Sequence, residues 1–148
     1  MTTNQNKSLP ADFRWVEARS KCSIAVVFAE LRLGAIGDCE QAQTELSKNG
    51  WPGFETTEIR SNRFAVIRSH NPAFNRSVEF VCNGSVIEVN DGNGKTFMTA
   101  TLTLTDEGEC KLKVGDRELD QWQFRRSALE ELFFPAKPSI SQMSEGWR

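Results

Sequence analysis

The residues with most chemistry to offer crowd into the middle of the chain: Arg60, Arg63, Arg68, His70 and Arg76. From 60 to 78 there are four arginines and no carboxylate, although the whole chain carries a net charge of −2. Guanidinium groups take phosphate or carboxylate through paired N–H donors, so such an island suits an anionic ligand or an acidic partner surface. The plainer account is a strand edge protected by charge and neutralised by the acidic remainder. An odd spacing on a strand sends side chains to opposite faces, which divides Arg63 from Arg68.

His70 is the only histidine. It could exchange a proton if a carboxylate such as Glu79 oriented it, but nothing in the sequence joins the two, and a loop histidine without a catalytic role is the better reading. Trp122 beside Arg125 and Arg126 offers a cation-π or anion-binding surface. The plainer account makes Trp122 a core anchor and leaves both arginines in water. Cys22, Cys39, Cys82 and Cys110 are widely spaced, with no C-x-x-C, so no zinc site is expected. They read as buried thiols in a reducing compartment. No phosphate loop, dinucleotide fingerprint, nucleophile elbow or H-E-x-x-H occurs, so no cofactor, metal or catalytic residue is assigned.

These residues must be positioned by a sheet. Asn83-Gly84 predicts a type I′ hairpin that pairs Phe80 with Ile87, Cys82 with Ser85 and Val78 with Val89, and sets Glu79 against Glu88 on a wet outer face. Thr96 to Thr105 alternates as a half-buried strand with Met98, Ala100, Leu102 and Leu104 on one face. A three-residue loop ending at Gly108 then pairs Leu104 with Cys110, Leu102 with Leu112 and Ala100 with Val114. Gly115-Asp116 turns the chain again, bringing Lys113 to Glu118, Lys111 to Asp120 and Leu112 to Leu119. The link at 91–94 reads as a four-residue loop or a two-residue Asn-Gly turn. Residues 63–69 make one more strand of unassigned facing, and 51–60 reads as a connection.

Before the sheet, Phe13, Val16, Ser20, Ile24, Val27, Phe28 and Leu31 recur at helical spacing from Asp12. Gly34 and Gly37 interrupt the stripe, and Asp38 could cap a second helix. One continuous helix to Lys48 is preferred, since three residues between glycines make a poor loop. After the sheet, Trp122, Ala128, Leu129, Leu132 and Phe133 can share the stripe of a last helix that Pro135 ends.

The expected fold is α+β: a long N-terminal helix packed on a five- or six-stranded antiparallel meander, with a C-terminal helix. The single domain spans 11–134, between a flexible 1–10 and a flexible tail at 135–148. This order resembles the cystatin-like layout of a sheet curled around a helix, although the Q-x-V-x-G inhibitory loop of cystatins is absent.

The inward sheet positions are almost uniformly apolar, which disfavours catalysis. The leading reading is a non-catalytic binding or interaction domain for a protein or anionic partner, acting through a sheet edge or the 60–76 island. The alternative is a small-molecule carrier with an apolar cavity lined by Phe28, Phe80 and Met98. An enzyme using His70 ranks third. A homodimer through edge strands is open. The acidic balance argues against general nucleic-acid binding. The absence of a long apolar run or a signal-peptide core argues for no membrane and a cytoplasmic location.

Overall fold

A computed structural model describes residues 12–46, 53–68 and 76–135. The expectations for 1–10, for the tail after Pro135 and for the His70 loop fall outside these residues. Among them, two helices precede seven strands and a third helix follows: α1 (Trp15–Lys21), α2 (Ile24–Leu46), β1 (Phe54–Arg60), β2 (Arg63–Arg68), β3 (Arg76–Asn83), β4 (Val86–Asn90), β5 (Thr96–Leu104), β6 (Cys110–Val114), β7 (Arg117–Leu119) and α3 (Gln121–Phe133). The strands form one antiparallel sheet in sequence order, β1 to β7. The α+β architecture stands as read, with more strands than predicted.

The additional strand is β1. Only Phe54 along it is buried, so its sequence, FETTEIR, shows almost no alternation. It is an edge strand, and its hairpin to β2 turns through Ser61 and Asn62 without a positive-φ residue, after a bulge between Glu58 and Arg60. Neither feature belongs to the I′ or II′ turns that announce hairpins in sequence. On β2 the inward residues are Phe64 and Val66, both fully buried.

The first long helix breaks at Cys22-Ser23, two turns after it begins, and not at the glycines. Ser23 starts α2, its Oγ accepting from the Val26 N–H at 3.3 Å, an N-cap in the usual sense. Val16, expected on the buried stripe, is exposed, and α1 buries nothing. From Val27 onward the stripe is real, and α2 runs unbroken through Gly34 and Gly37.

The hairpin between β3 and β4 keeps its inward face but not its predicted register. Asn83 pairs with Val86, Cys82 with Ile87 and Phe80 with Val89. Only Gly84 has positive φ, so the loop is Gly84-Ser85 of type II′, with glycine first. The Glu79 to Glu88 pairing therefore dissolves. Glu79 faces Asn90, which donates to it at 3.2 Å, and Arg63 lies 3.4 Å from its other oxygen. The 91–94 link is a three-residue loop closed by the Asp91 N–H donating to the Lys95 carbonyl, with Gly94 left-handed; neither predicted loop length holds. The β5–β6 pairs Leu104–Cys110 and Leu102–Leu112 and the β6–β7 pairs Lys113–Glu118 and Leu112–Leu119 are those read from the sequence, and Lys111 reaches Asp120 through its side chain.

One face of the sheet packs against α2 and α3. Phe64 stacks on Phe80 with ring centroids 4.7 Å apart, Phe28 tilts onto Phe64, and Phe124 meets Phe80 edge-on. These rings, with Leu31, Ile87, Val89, Ala100, Leu112 and Leu129, form one core. Phe124 escaped the sequence stripe because Trp122 was given its place.

Two cysteines overturn the thiol reading. Cys22, at the break between α1 and α2, is disulfide-bonded to Cys110 at the start of β6, 88 residues away. Four cysteines without spacing signals allow several pairings, and only the helix break places Cys22 over that strand. Cys39 and Cys82 are free.

Candidate functional site

The basic island does not gather into one patch. Arg60 ends the edge strand β1 and is exposed. Arg63 lies on the outer face, paired with Glu79. Arg68 and Arg76 stand directly opposite each other at the ends of β2 and β3, in register with the inward residues Val66 and Val78. Loss of hydration pushes the Arg68 pKa below its usual value, and the neighbouring Arg76 charge adds to this. Phe54, the other cross-strand neighbour of Arg68, packs against Phe133 at the last turn of α3. His70 lies outside the described residues.

A second arrangement joins residues that the sequence reading keeps apart, Asp38 as a helix cap and Arg125 as a solvated arginine. Helix α3 runs in the same direction as α2: Gln121 donates to Glu30 at 2.7 Å, and one turn later Arg125 Nε donates to Asp38 at 2.7 Å. Asp38 therefore caps nothing; it anchors one helix to the other. Gly34 makes room for this. A Cβ there would lie 2.7 Å from Arg125 Cζ, so the guanidinium rests on bare backbone. The close approach explains a glycine in mid-helix, where propensity alone costs about 1 kcal/mol.

On the solvent side of this seam the two helices diverge around a cleft of about 450 Å³. Ala42, Leu129 and Phe133 supply its buried apolar surface, and Gln41 and Glu45 line the α2 side. Trp122 and Phe134 stand near its two ends, 53% and 56% exposed. The core-anchor reading of Trp122 is thus wrong, because Phe124 takes the inward position. The nearby charges pair among themselves: Asp38 with Arg125, and Arg126 with Glu130 at 3.3 Å. The cleft therefore offers aromatic area inside a polar rim rather than a charge seeking a counter-ion.

The available sequence signal was spacing. Gly34 and Asp38 are four apart, as are Trp122 and Arg126, and each pair shares a helix face. Nothing in either helix alone says that these faces meet.

No group of three or more histidine, cysteine or carboxylate side chains suited to a metal ion occurs among the described residues. No described helix is long and apolar enough to cross a membrane. The chain matches no protein-family model, no curated protein and no solved structure.

Proposed function

We propose that this chain is a non-catalytic binding domain that takes an apolar-anchored polypeptide segment into the cleft between α2 and α3. The observation that carries the reading is Trp122: an exposed indole beside a cleft floored by Leu129 and Phe133, with paired charges at the rim. Tryptophan and arginine around an apolar pocket are the groups that carry most binding energy at protein interfaces. The seam from Trp122 to Phe134 rises about 18 Å along α3, enough for two or three anchors at helical spacing.

The carrier reading has less support. Phe28 and Phe80, its intended lining, are core rings packed against Phe64. The cystatin-like likeness serves only as a comparison of layout. A cytoplasmic placement sits against the disulfide, since thiols in that compartment are held reduced.

Selection of a displayed peptide library on the folded chain, with Trp122→Ala as counter-selection, tests the proposal. The expected result is enrichment of peptides with two or three apolar anchors that lose binding to Trp122→Ala, while the variant keeps its unfolding midpoint. Peptides retained equally by both proteins, or no enrichment, would remove the cleft as the binding surface. The opposed Arg68 and Arg76 favour a second reading, in which a carboxylate of an acidic partner bridges the two guanidinium groups. There, Arg76→Glu rather than Trp122→Ala should abolish capture of acidic peptides.

A further inference from the structure

We infer that the chain pairs with a second copy of itself through β1, the open edge of the sheet, about a two-fold axis at Thr57. This contact shares no residue with the α2–α3 cleft and does not depend on it. The two edges of the sheet differ. Strand β7 is three residues long and leads at once into α3, whereas β1 offers seven residues and buries only Phe54. An exposed strand of that length is a template for another strand unless something blocks it, and lysine or proline is a common block. FETTEIR holds neither.

Its charges choose the partner. Glu55 and Arg60 are both exposed, and neither has an ion pair or side-chain hydrogen bond among the described residues. Five residues apart, they would lie on opposite faces of a regular strand. The bulge at Ile59 brings Arg60 opposite Arg63 and so onto the outer face, which Glu55 shares through its partner Ile67. Antiparallel pairing about Thr57, with Ile59 the extra residue in each copy, then sets Thr57 against Thr57, Thr56 against Glu58 and Glu55 against Arg60. Opposite charges directly across paired strands attract, and like charges repel. Moving the axis one residue toward Arg60 puts Glu58 against its own copy, and moving it the other way leaves Arg60 opposite no carboxylate. The pattern is reciprocal, a condition that a second copy meets by symmetry.

Helix α2 adds apolar area beside the same edge. Gln43 accepts from the Phe54 N–H at 2.8 Å and Arg32 lies 3.9 Å from Glu58, so one flank of α2 runs along β1. Next to these residues on the helix, Ala29, Leu33 and Ile36 recur at spacings of four and three, with Leu33 62% exposed. An axis normal to the sheet keeps both helices on one side of it and turns this flank toward its copy. A pair of short strands alone is narrow against the roughly 1,000 Å² that a specific interface buries, and the apolar strip extends it.

Sedimentation velocity of the full chain over a dilution series tests the pairing. The expected result is a reversible dimer, weakened about tenfold or more by Arg60→Glu, which sets like charges across the axis, and also weakened by Leu33→Asp. Combining Glu55→Arg with Arg60→Glu should restore the parent affinity, which a misfolded variant could not do. Residues facing each other on antiparallel strands have Cα atoms about 5 Å apart, within disulfide reach. Mild oxidation should therefore cross-link Thr57→Cys into a covalent dimer, and neither the parent nor Glu55→Cys. A chain that stays monomeric throughout, a dimer indifferent to Arg60→Glu, or a charge swap that fails to restore it overturns the inference. So does a dimer lost on Trp122→Ala, which would move the contact to the cleft; that variant should leave dimerisation unchanged. Peptide binding at the cleft is read separately, so either site can fall alone.

Discussion

Helix α3 has two sides, and they are built on opposite principles. Toward the sheet it presents Phe124, Ala128 and Leu132, all buried, in a core of stacked and edge-on rings. Toward solvent it leans on α2 through Arg125, Asp38 and a bare glycine, and leaves Trp122 uncovered. The first side holds the fold by removing apolar area from water. The second fixes the helix position with a directional ion pair while keeping aromatic area available. Stability and binding can therefore be divided between the two faces of one helix, and substitutions should separate them.

The largest expected effect lies on the core side. Phe80→Ala removes a ring packed between Phe64 and Phe124, and such truncations cost about 3–5 kcal/mol. Trp122→Ala should stay within about 0.5 kcal/mol of the parent, as exposed substitutions do. Urea unfolding of both variants reads the contrast directly. Comparable losses would mean that the outer side also carries the fold.

Next in size is the disulfide. Removing Cys22–Cys110 by Cys22→Ser with Cys110→Ser should lower stability by about 2–4 kcal/mol, because a long denatured loop regains its freedom. Thiol titration in denaturant should find two groups before reduction and four after. Four before reduction would return the protein to the reducing environment inferred from sequence. In the folded protein Cys39 should alkylate slowly, since burial raises its pKa despite the hydrogen bond with Thr56.

What the sequence disclosed follows the same division. Strand pairing from β5 to β7 was legible because alternation and turn glycines are local signals: Gly108 and Gly115 adopt the positive φ their loops require. The β3–β4 register slid because Asn83-Gly84 suits a type I′ loop as well as Gly84-Ser85 suits II′, and both keep Phe80 inward. Strand β1 was hidden since an edge strand with one buried residue has no alternation to read. The seam was hidden for a different reason. Gly34, Asp38 and Arg125 acquire meaning only when two helices 80 or more residues apart in sequence are laid side by side, and Trp122 looked like a core residue until Phe124 claimed the inward position. Of the basic island, the division of Arg63 from Arg68 was foreseen from parity alone.

The smallest effect probes the seam most closely, through two glycines three residues apart in α2. Nothing lies within 4 Å of a Cβ built at Gly37, so Gly37→Ala gains helix propensity without penalty and should stabilise by about 1 kcal/mol. Gly34→Ala gains the same propensity but drives a methyl group into the Arg125 guanidinium, which must then leave Asp38. That pair is partly buried, with 17% and 30% of the two side chains exposed, so its loss should offset most of the gain. Gly34→Ala is thus expected to be near neutral. In an Arg125→Ala background the obstruction is gone, and the same substitution should recover about 1 kcal/mol, a coupling that a double-mutant cycle measures directly. If Gly34→Ala stabilised the parent as much as Gly37→Ala does, Arg125 could swing aside at no cost. The rim of the cleft would then be soft, and the contrast between the two sides of α3 would reduce to one packed face and one merely exposed.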